Sequence, residues 1–393
     1  MINVSRRNES FYAHAGPILF LTGIFWINFL SRIILAPLLP IIEPDLGISH
    51  GESGGFFMMI SIGYSMALLG SGFISSLLSH RTTITISSIA TGLALFGITF
   101  AHSLLEIRIG LLTLGMAAGL YLPSGMTTIT AIVEYKHWGK AIAIHELAPS
   151  LAFITAPLIS EGLMQCLPWK GVLIMIGSMA ILAGISFALF GSRKTFASSS
   201  PNYGNISNLL GQRHFWIMTV LFSLGIAASI GIYSMLPLYL VSERAIERGL
   251  ANSLIGLSRI PVLLIAIIAG WISDRAGPKM TIRCVLIFNG IMTILLGIIP
   301  GNFIVIIIFL QPMLSVCFFP AAFSLLSSIC PPEQRSLTVS FTVLFAYLMG
   351  AGFIPAGMGL LGEVGSFAMS FVILGGFLGA SVVLTRFLKQ RQS

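Results

Sequence analysis

Apolar runs long enough to cross the hydrocarbon core of a bilayer recur along this chain, separated by short polar breaks, and the alternation predicts twelve membrane-spanning helices. They fall near residues 16–40, 53–78, 83–101, 104–130, 141–161, 170–190, 214–240, 251–272, 280–299, 302–329, 336–358 and 365–388. Residues 1–190 and 214–393 are therefore each expected to form a six-helix bundle. Gly191 to Arg213, with its Ser198-Ser199-Ser200-Pro201 run, has the composition of a linker between them.

The second half repeats landmarks of the first. Gly72 of GFISSLLSHR is answered by Gly270 of GWISDRAGPK, 198 residues later, Pro157 by Pro355 at the same spacing, and Pro123 by Pro320 at 197. Pro37 and Pro237, each followed by Leu, stand 200 apart. Four ordered landmarks at one spacing indicate duplication, and duplicated membrane bundles typically hold a solute site between their halves.

Composition agrees with a lipid environment: 56% of residues are hydrophobic and only 9% charged, outside the range of water-soluble domains. Most of the 21 lysines and arginines, including Arg81, Lys136, Lys140, Arg275, Lys279, Arg283 and Arg335, fall in loops on one side. Glu43, Asp45, Glu52, Glu161, Glu243, Glu247 and Glu363 fall on the other. The positive-inside rule makes the basic side cytoplasmic, with both termini there, in a multi-pass protein of the cell (inner) membrane. This asymmetry explains the net charge of +8 without nucleic acid as a partner. The first apolar run is too long for a cleaved signal and reads as a retained helix. The four cysteines lack metal-site spacing, no phosphate-binding P-loop occurs, and no cofactor, metal or enzymatic role is expected.

Twelve spans, a six-plus-six repeat and Gly270-x-x-x-Asp274-Arg275-x-Gly277-x-Lys279 together resemble the major facilitator superfamily, over essentially the whole chain. The resemblance implies an all-α fold of two pseudo-symmetric bundles, with the first, fourth, seventh and tenth helices lining a path. It also implies that Gly270, Asp274, Arg275, Gly277 and Lys279 serve a gate on the basic side. In the first half Ser76 stands where the Asp is expected and Ser79 where the second Gly is. Positive-inside topology alone also accounts for Arg275 and Lys279. Arg108, with Gly115 and Gly119 after it, is similar to the family's fourth-helix Arg motif without its usual Gln-Gly, and is a candidate for proton coupling. Pro157 and Gly162 are what remains of the fifth-helix motif of proton-coupled drug exporters.

Charge inside a span is the sharpest pointer to a site, because an ionised group near the bilayer centre costs about 2.5–3.5 kcal/mol on insertion scales. Arg32 in the first helix and Arg259 in the eighth reach similar depth, one from each half. Arginine stays protonated and presents a planar fork that matches carboxylate or phosphate, so the pair favours a small organic anion as solute. Several organic-anion members of the superfamily also place Arg in the first helix. Asn28, one turn before Arg32, together with Tyr64, Tyr121, Tyr233 and Gln311, supplies candidate hydrogen-bonding groups, although interhelical packing would explain each equally well.

His145 and Glu146 in the fifth helix are the groups most able to exchange protons. Adjacent helical residues point about 100° apart, so at most one faces a central cavity squarely. A helix-end pair touching Lys140 and water is the competing reading. The expected function is secondary transport by alternating access, with protons as a candidate coupling ion and a monomeric protein in the bilayer. Export of amphipathic or cationic compounds and a non-transporting sensor with a permease fold are the alternatives.

Overall fold

The computed structural model describes residues 11–191, 208–329 and 335–388. Most of the expected linker, together with Arg6, Arg7, Arg193, Lys194, Lys389 and Arg391, lies outside them. Twelve helices long and apolar enough to span a membrane follow in order: α1 Ala15–Leu46, α2 His50–Ser71, α3 His80–Thr99, α4 Leu104–Ile132, α5 Tyr135–Met164, α6 Trp169–Phe190, α7 Arg213–Ser242, α8 Arg248–Ala276, α9 Pro278–Ile298, α10 Gly301–Ile329, α11 Leu337–Val364 and α12 Phe367–Phe387. Large apolar side chains such as Leu19, Phe73, Leu182, Ile267 and Phe377 point outward, as lipid-facing residues do.

Within each half the helices meet through small residues. A Cβ on Gly119 of α4 would lie 2.6 Å from the Tyr64 carbonyl of α2, and Gly115 abuts the Ile60 carbonyl in the same seam. Such approach allows van der Waals contact between backbones, the principal attraction available to helices already in lipid. Gly115 and Gly119 thus act in packing between α2 and α4. The first and fourth helices of each half are also tied by an amide: Asn28 of α1 donates to the Ala118 carbonyl of α4 at 3.1 Å, and Gln311 of α10 to the Ala228 carbonyl of α7 at 2.7 Å.

Prolines shape the helices near the centre. A proline lacks the N–H that the carbonyl four residues earlier requires, and its ring crowds that carbonyl. Short interruptions stand at Ile34, Leu120, Glu146 and Cys317, each three residues before a proline, and at Arg259, two before Pro261. Pro157, Pro237 and Pro312 lie within helix without such a break. In α7 and α11 the backbone widens into π-helical segments, Ala227–Gly231 and Leu348–Phe353, which touch where Gly231 approaches the Gly350 carbonyl.

The two halves meet toward the face that carries Glu43, Glu161, Glu243 and Glu363, here termed the acidic face. There α2 packs against α11, the end of α1 against α7, and α5 against α8. Gly54 of α2 lies where a Cβ would be 2.9 Å from the Pro355 carbonyl, and Gly359 of α11 abuts the His50 carbonyl. Glu363 accepts hydrogen bonds from the Ser49 hydroxyl at 2.8 Å and the Gly51 N–H at 3.1 Å, neutralising the positive end of α2. Arg248 of α8 pairs with Glu161 of α5 at 3.0 Å, while Asn252 donates to Glu161 at 2.6 Å and to the Pro37 carbonyl at 3.1 Å. Among the described residues, the hydrogen bonds between halves lie from the depth of Arg32 outward to this face. Toward the opposite, basic face the halves part, and Glu146, Leu147 and Leu151 of α5 are exposed. The conformation is closed at the acidic face and open at the basic one.

Gly359→Leu should wedge α11 from α2 and loosen the closed face. Maleimide labelling of a Ser53→Cys reporter, buried at present, is expected to rise several-fold in membranes carrying the leucine, and unchanged labelling would refute the closure described.

Candidate functional site

Arg32 stands near the middle of α1, two residues before the interruption at Ile34. Its side chain is 3% exposed and turns toward the other half, where one guanidinium N–H donates to the Tyr347 hydroxyl of α11 at 2.7 Å. The guanidinium lies 4.3 Å from the centre of the Tyr64 ring, 4.7 Å from Phe29 and 5.6 Å from Tyr347. The Tyr64 and Tyr347 rings contact each other at 4.7 Å. Nε of Arg32 has no partner.

Arg259 sits in the interruption of α8 and is 5% exposed. Phe153 of α5 and Tyr233 of α7 cover it, at 4.8 and 5.2 Å from guanidinium to ring centre. Among the described residues its one polar contact is a long 3.5 Å approach to the Ser229 carbonyl, inside the π-helical segment of α7. Nε of Arg259 and the Tyr233 hydroxyl are both buried and unpartnered. The two cationic sites are joined by rings, since Phe29 meets Phe153 edge-on at 5.2 Å and Phe153 meets Tyr233 at 4.8 Å.

Neither arginine has a carboxylate within ion-pair distance among the described residues. Aromatic faces carry negative potential, and a desolvated cation–π contact is worth about 2 kcal/mol. The rings therefore offset much of the roughly 2.5–3.5 kcal/mol that a midplane charge costs. They do not cancel the charge or satisfy every N–H. What remains is a pair of guanidiniums, each with an unpartnered Nε, at the junction of the halves and linked through the Phe29 and Phe153 rings.

Of the residues singled out in the sequence, the structure brings Arg32, Tyr64, Arg259 and Tyr233 into this region. Asn28 turns away into its own bundle, beside Ser88 and Thr91, with its amide committed to Ala118. Tyr121 donates to the Leu21 carbonyl at 2.7 Å and contacts His145 Nε2 at 3.1 Å. His145 is fully buried and stacked on Phe25 at 4.5 Å, while the neighbouring Glu146 is half-exposed toward the open side. Gln311 is held between Ala228 and Asn289. Arg108 is half-buried near the acidic-face end of α4, away from both arginine clusters.

The basic-face motif is also placed. Nothing approaches the Cα of Gly270 where a Cβ would stand, whereas Gly277 takes a left-handed φ of +82° that ends α8. Arg275 covers the Trp271 ring at 4.0 Å, Lys279 donates to the Leu388 carbonyl at 2.8 Å, and Asp274 is exposed. These contacts stay within the second half.

Sequence reasoning missed Phe29, Phe153 and Tyr347, whose rings complete the site, and the closing contacts of Glu161, Asn252 and Glu363. The aromatics were invisible because Phe and Tyr in an apolar helix look alike whether they face lipid or a cation. The two glutamates were read only as loop charges, although each lies within the last turn of its helix, where the N-terminus of a facing helix is the natural acceptor of negative charge. Glu247 does cap its own helix: the N–H groups of Gly249 and Leu250 bond its carboxylate and hold it below the usual carboxylate range.

A family model described as Major Facilitator Superfamily matches residues 21–258 and 232–393. The chain is 21% identical over 404 residues to the probable sulfoacetate transporter SauU of Cupriavidus necator, covering 93% of this chain and 91% of that protein. It is 21% identical over 161 residues to a probable L-galactonate transporter of Escherichia coli, 41% of this chain and 36% of that protein. Its fold is similar to that of a bacterial homologue of the human lysosomal transporter Spinster in an inward-facing and occupied conformation, with a TM-score of 0.81, 14% identity and 97% of each chain covered. A D-xylose-proton symporter superposes with a TM-score of 0.80 at 13% identity, over 95% of this chain and 97% of that one.

Replacing Arg259 by Met keeps the side chain's length and removes a charge that no carboxylate balances. The midplane cost relieved, about 2.5–3.5 kcal/mol, exceeds the roughly 2 kcal/mol of attraction that the rings supply to the cation. The substrate-free Arg259→Met protein should therefore melt a few degrees higher in detergent than the parent, and a lower melting temperature would contradict the electrostatic description.

Proposed function

The chain belongs to the major facilitator superfamily and moves a small solute across the membrane, and we propose that this solute is a small organic anion bound between Arg32 and Arg259. The carrying observation is the pair of buried guanidiniums whose partners are aromatic rings, one tyrosine hydroxyl and one distant carbonyl rather than carboxylates. A carboxylate or sulfonate entering from the open face would accept from Arg32 and from the free N–H groups of Arg259, with the Tyr233 hydroxyl as a further donor. The charge of the anion is then matched across the two halves, and Phe29 and Phe153 exclude water between them. The names of the two sequence relatives, a sulfoacetate and an L-galactonate transporter, support this class, both solutes being organic anions.

Alternating access follows from the same contacts. Opening the acidic face requires breaking Glu363 from the end of α2, Glu161 from Arg248 and Asn252, and Arg32 from Tyr347. An anion that draws both arginines inward competes with that last bond and favours rearrangement. Exposed Asp274 and Arg275 are positioned to contact the first half when the basic face closes. By the positive-inside rule we assign the basic face to the cytoplasm of an inner-membrane protein.

Sulfoacetate, L-galactonate, inorganic phosphate and a cationic dye should be compared on reconstituted vesicles. Losing a buried charge-assisted partner costs about 3–5 kcal/mol, so Arg32→Gln should raise the KM for the transported anion by roughly 100-fold or more. Arg32→Lys should recover little, because an ammonium lacks the planar fork that meets Tyr347 and the anion together. Anion uptake unchanged by Arg32→Gln, or transport of the dye alone, would overturn the reading.

A further inference from the structure

The buried imidazole of His145 and the half-exposed carboxylate of Glu146 are not used in holding the anion. Their hydrogen bonds define which atoms carry protons. Tyr121 has a single hydroxyl proton and places it on the Leu21 carbonyl at 2.7 Å. The Tyr121 oxygen is then an acceptor toward His145, so Nε2 of His145, at 3.1 Å, must be the donor. In a neutral imidazole Nδ1 would consequently be a bare lone pair. Nδ1 lies 3.2 Å from Oε1 of Glu146, itself an acceptor. Two acceptors cannot face each other at that distance unless a proton lies between them.

We propose that Nδ1 of His145 and Oε1 of Glu146 form the proton-binding site of this transporter, loaded and emptied once per anion carried. This inference rests on the anion reading above. A proton arriving from water on the open side reaches the exposed carboxylate first and is shared with Nδ1; once the protein has rearranged to open the other face, it leaves through the same carboxylate to that side, so that one proton crosses with each anion and Glu146 is freed toward the water. No other bond in the chain from Nδ1 to Leu21 has to change. His145 is wholly buried, flat against Phe25, so the proton has no second exit through the imidazole.

The groups facing the pair are few. The first helix presents Phe25 and the Leu21 carbonyl, the fourth presents Tyr121, and on the fifth itself the exposed Lys140 is one turn or more toward the basic face. His145 stacks on Phe25, and Phe25 meets Phe29, the ring beside Arg32, edge-on at 6.4 Å. Without its proton the His145–Glu146 pair carries one negative charge at the open end of the ring series Phe25, Phe29 that leads to Arg32, and with it none. The empty pair therefore repels an incoming anion and the loaded pair admits it, and by reciprocity a bound anion holds the proton.

Vesicles containing wild-type protein, His145→Gln or Glu146→Gln, with pyranine trapped inside, provide the test with sulfoacetate and L-galactonate as probes. Wild type should acidify the interior on anion uptake and accumulate a monoanion up to about tenfold per unit of imposed pH gradient. Both variants should exchange the anion at equilibrium within a few-fold of wild type yet lose accumulation and the pyranine signal. Accumulation with proton movement in His145→Gln overturns the proposal. Failure of the wild type to exchange either probe rejects the anion reading itself, and this inference with it. If His145→Gln loses exchange too, nitrogen NMR of the wild type decides, using the histidine resonance absent from that variant. Anion binding must shift Nδ1 toward its protonated form while Nε2 stays protonated, and an Nδ1 that does not respond overturns the assignment.

Discussion

Everything central to this molecule depends on two positive charges kept in a low-dielectric interior without acids beside them. Arg32 and Arg259 are buried to 3% and 5% exposure, and the faces of Phe29, Tyr64, Tyr347, Phe153 and Tyr233 stand where counter-ions would otherwise be required. An aromatic face lowers the energy of a cation without neutralising it, so both guanidiniums keep their positive charge. Had Glu146 reached either guanidinium, a stable ion pair would occupy the same ground. The carboxylate instead faces His145, and both guanidiniums are left without a counter-ion among the described residues.

The scaffold explains how the charges are held at one depth. Glycine seams let α2 meet α4 within a half and α11 across the halves, so bundles with few polar contacts still interlock closely at the acidic face. Proline interruptions and the π-helical segments free carbonyls and loosen the central turns. Arg259 and Glu146 lie in such interruptions, and Tyr347 immediately precedes the π-helical segment of α11. A regular helix satisfies its own carbonyls and offers little to a side chain from elsewhere; an interrupted one, such as α7 at Ser229, has a carbonyl to spare for Arg259. The duplication provides the architecture, and departures from it provide the chemistry: Arg32 corresponds to Ile232 in the repeat, and Arg259 to Ser61.

The chain's membrane character, its twelve spans and its duplication were legible from hydropathy and four landmarks, because lipid imposes length and apolarity on each helix separately. The depth of both arginines was legible too, since it needs only the number of residues from a helix end. Their surroundings were not. Asn28 is one turn from Arg32 in sequence and yet serves α4, while Tyr347, distant in sequence, bonds the guanidinium itself. Periodicity says which residues share a stripe on one helix. It does not say whether that stripe meets lipid, its own bundle or the other half.

By itself, then, the sequence determined the solvent, the number and order of helices, and the presence of costly charges that demand an explanation. Only the tertiary structure decided what balances those charges, which face of the protein is closed, and that His145 and Glu146 turn toward each other on opposite sides of a buried boundary. The physical reason is the range of the forces. Burial of apolar length is a property of each segment and is written locally, whereas a cation–π contact, a hydrogen bond or a shared proton exists only when groups from different helices come within a few ångströms.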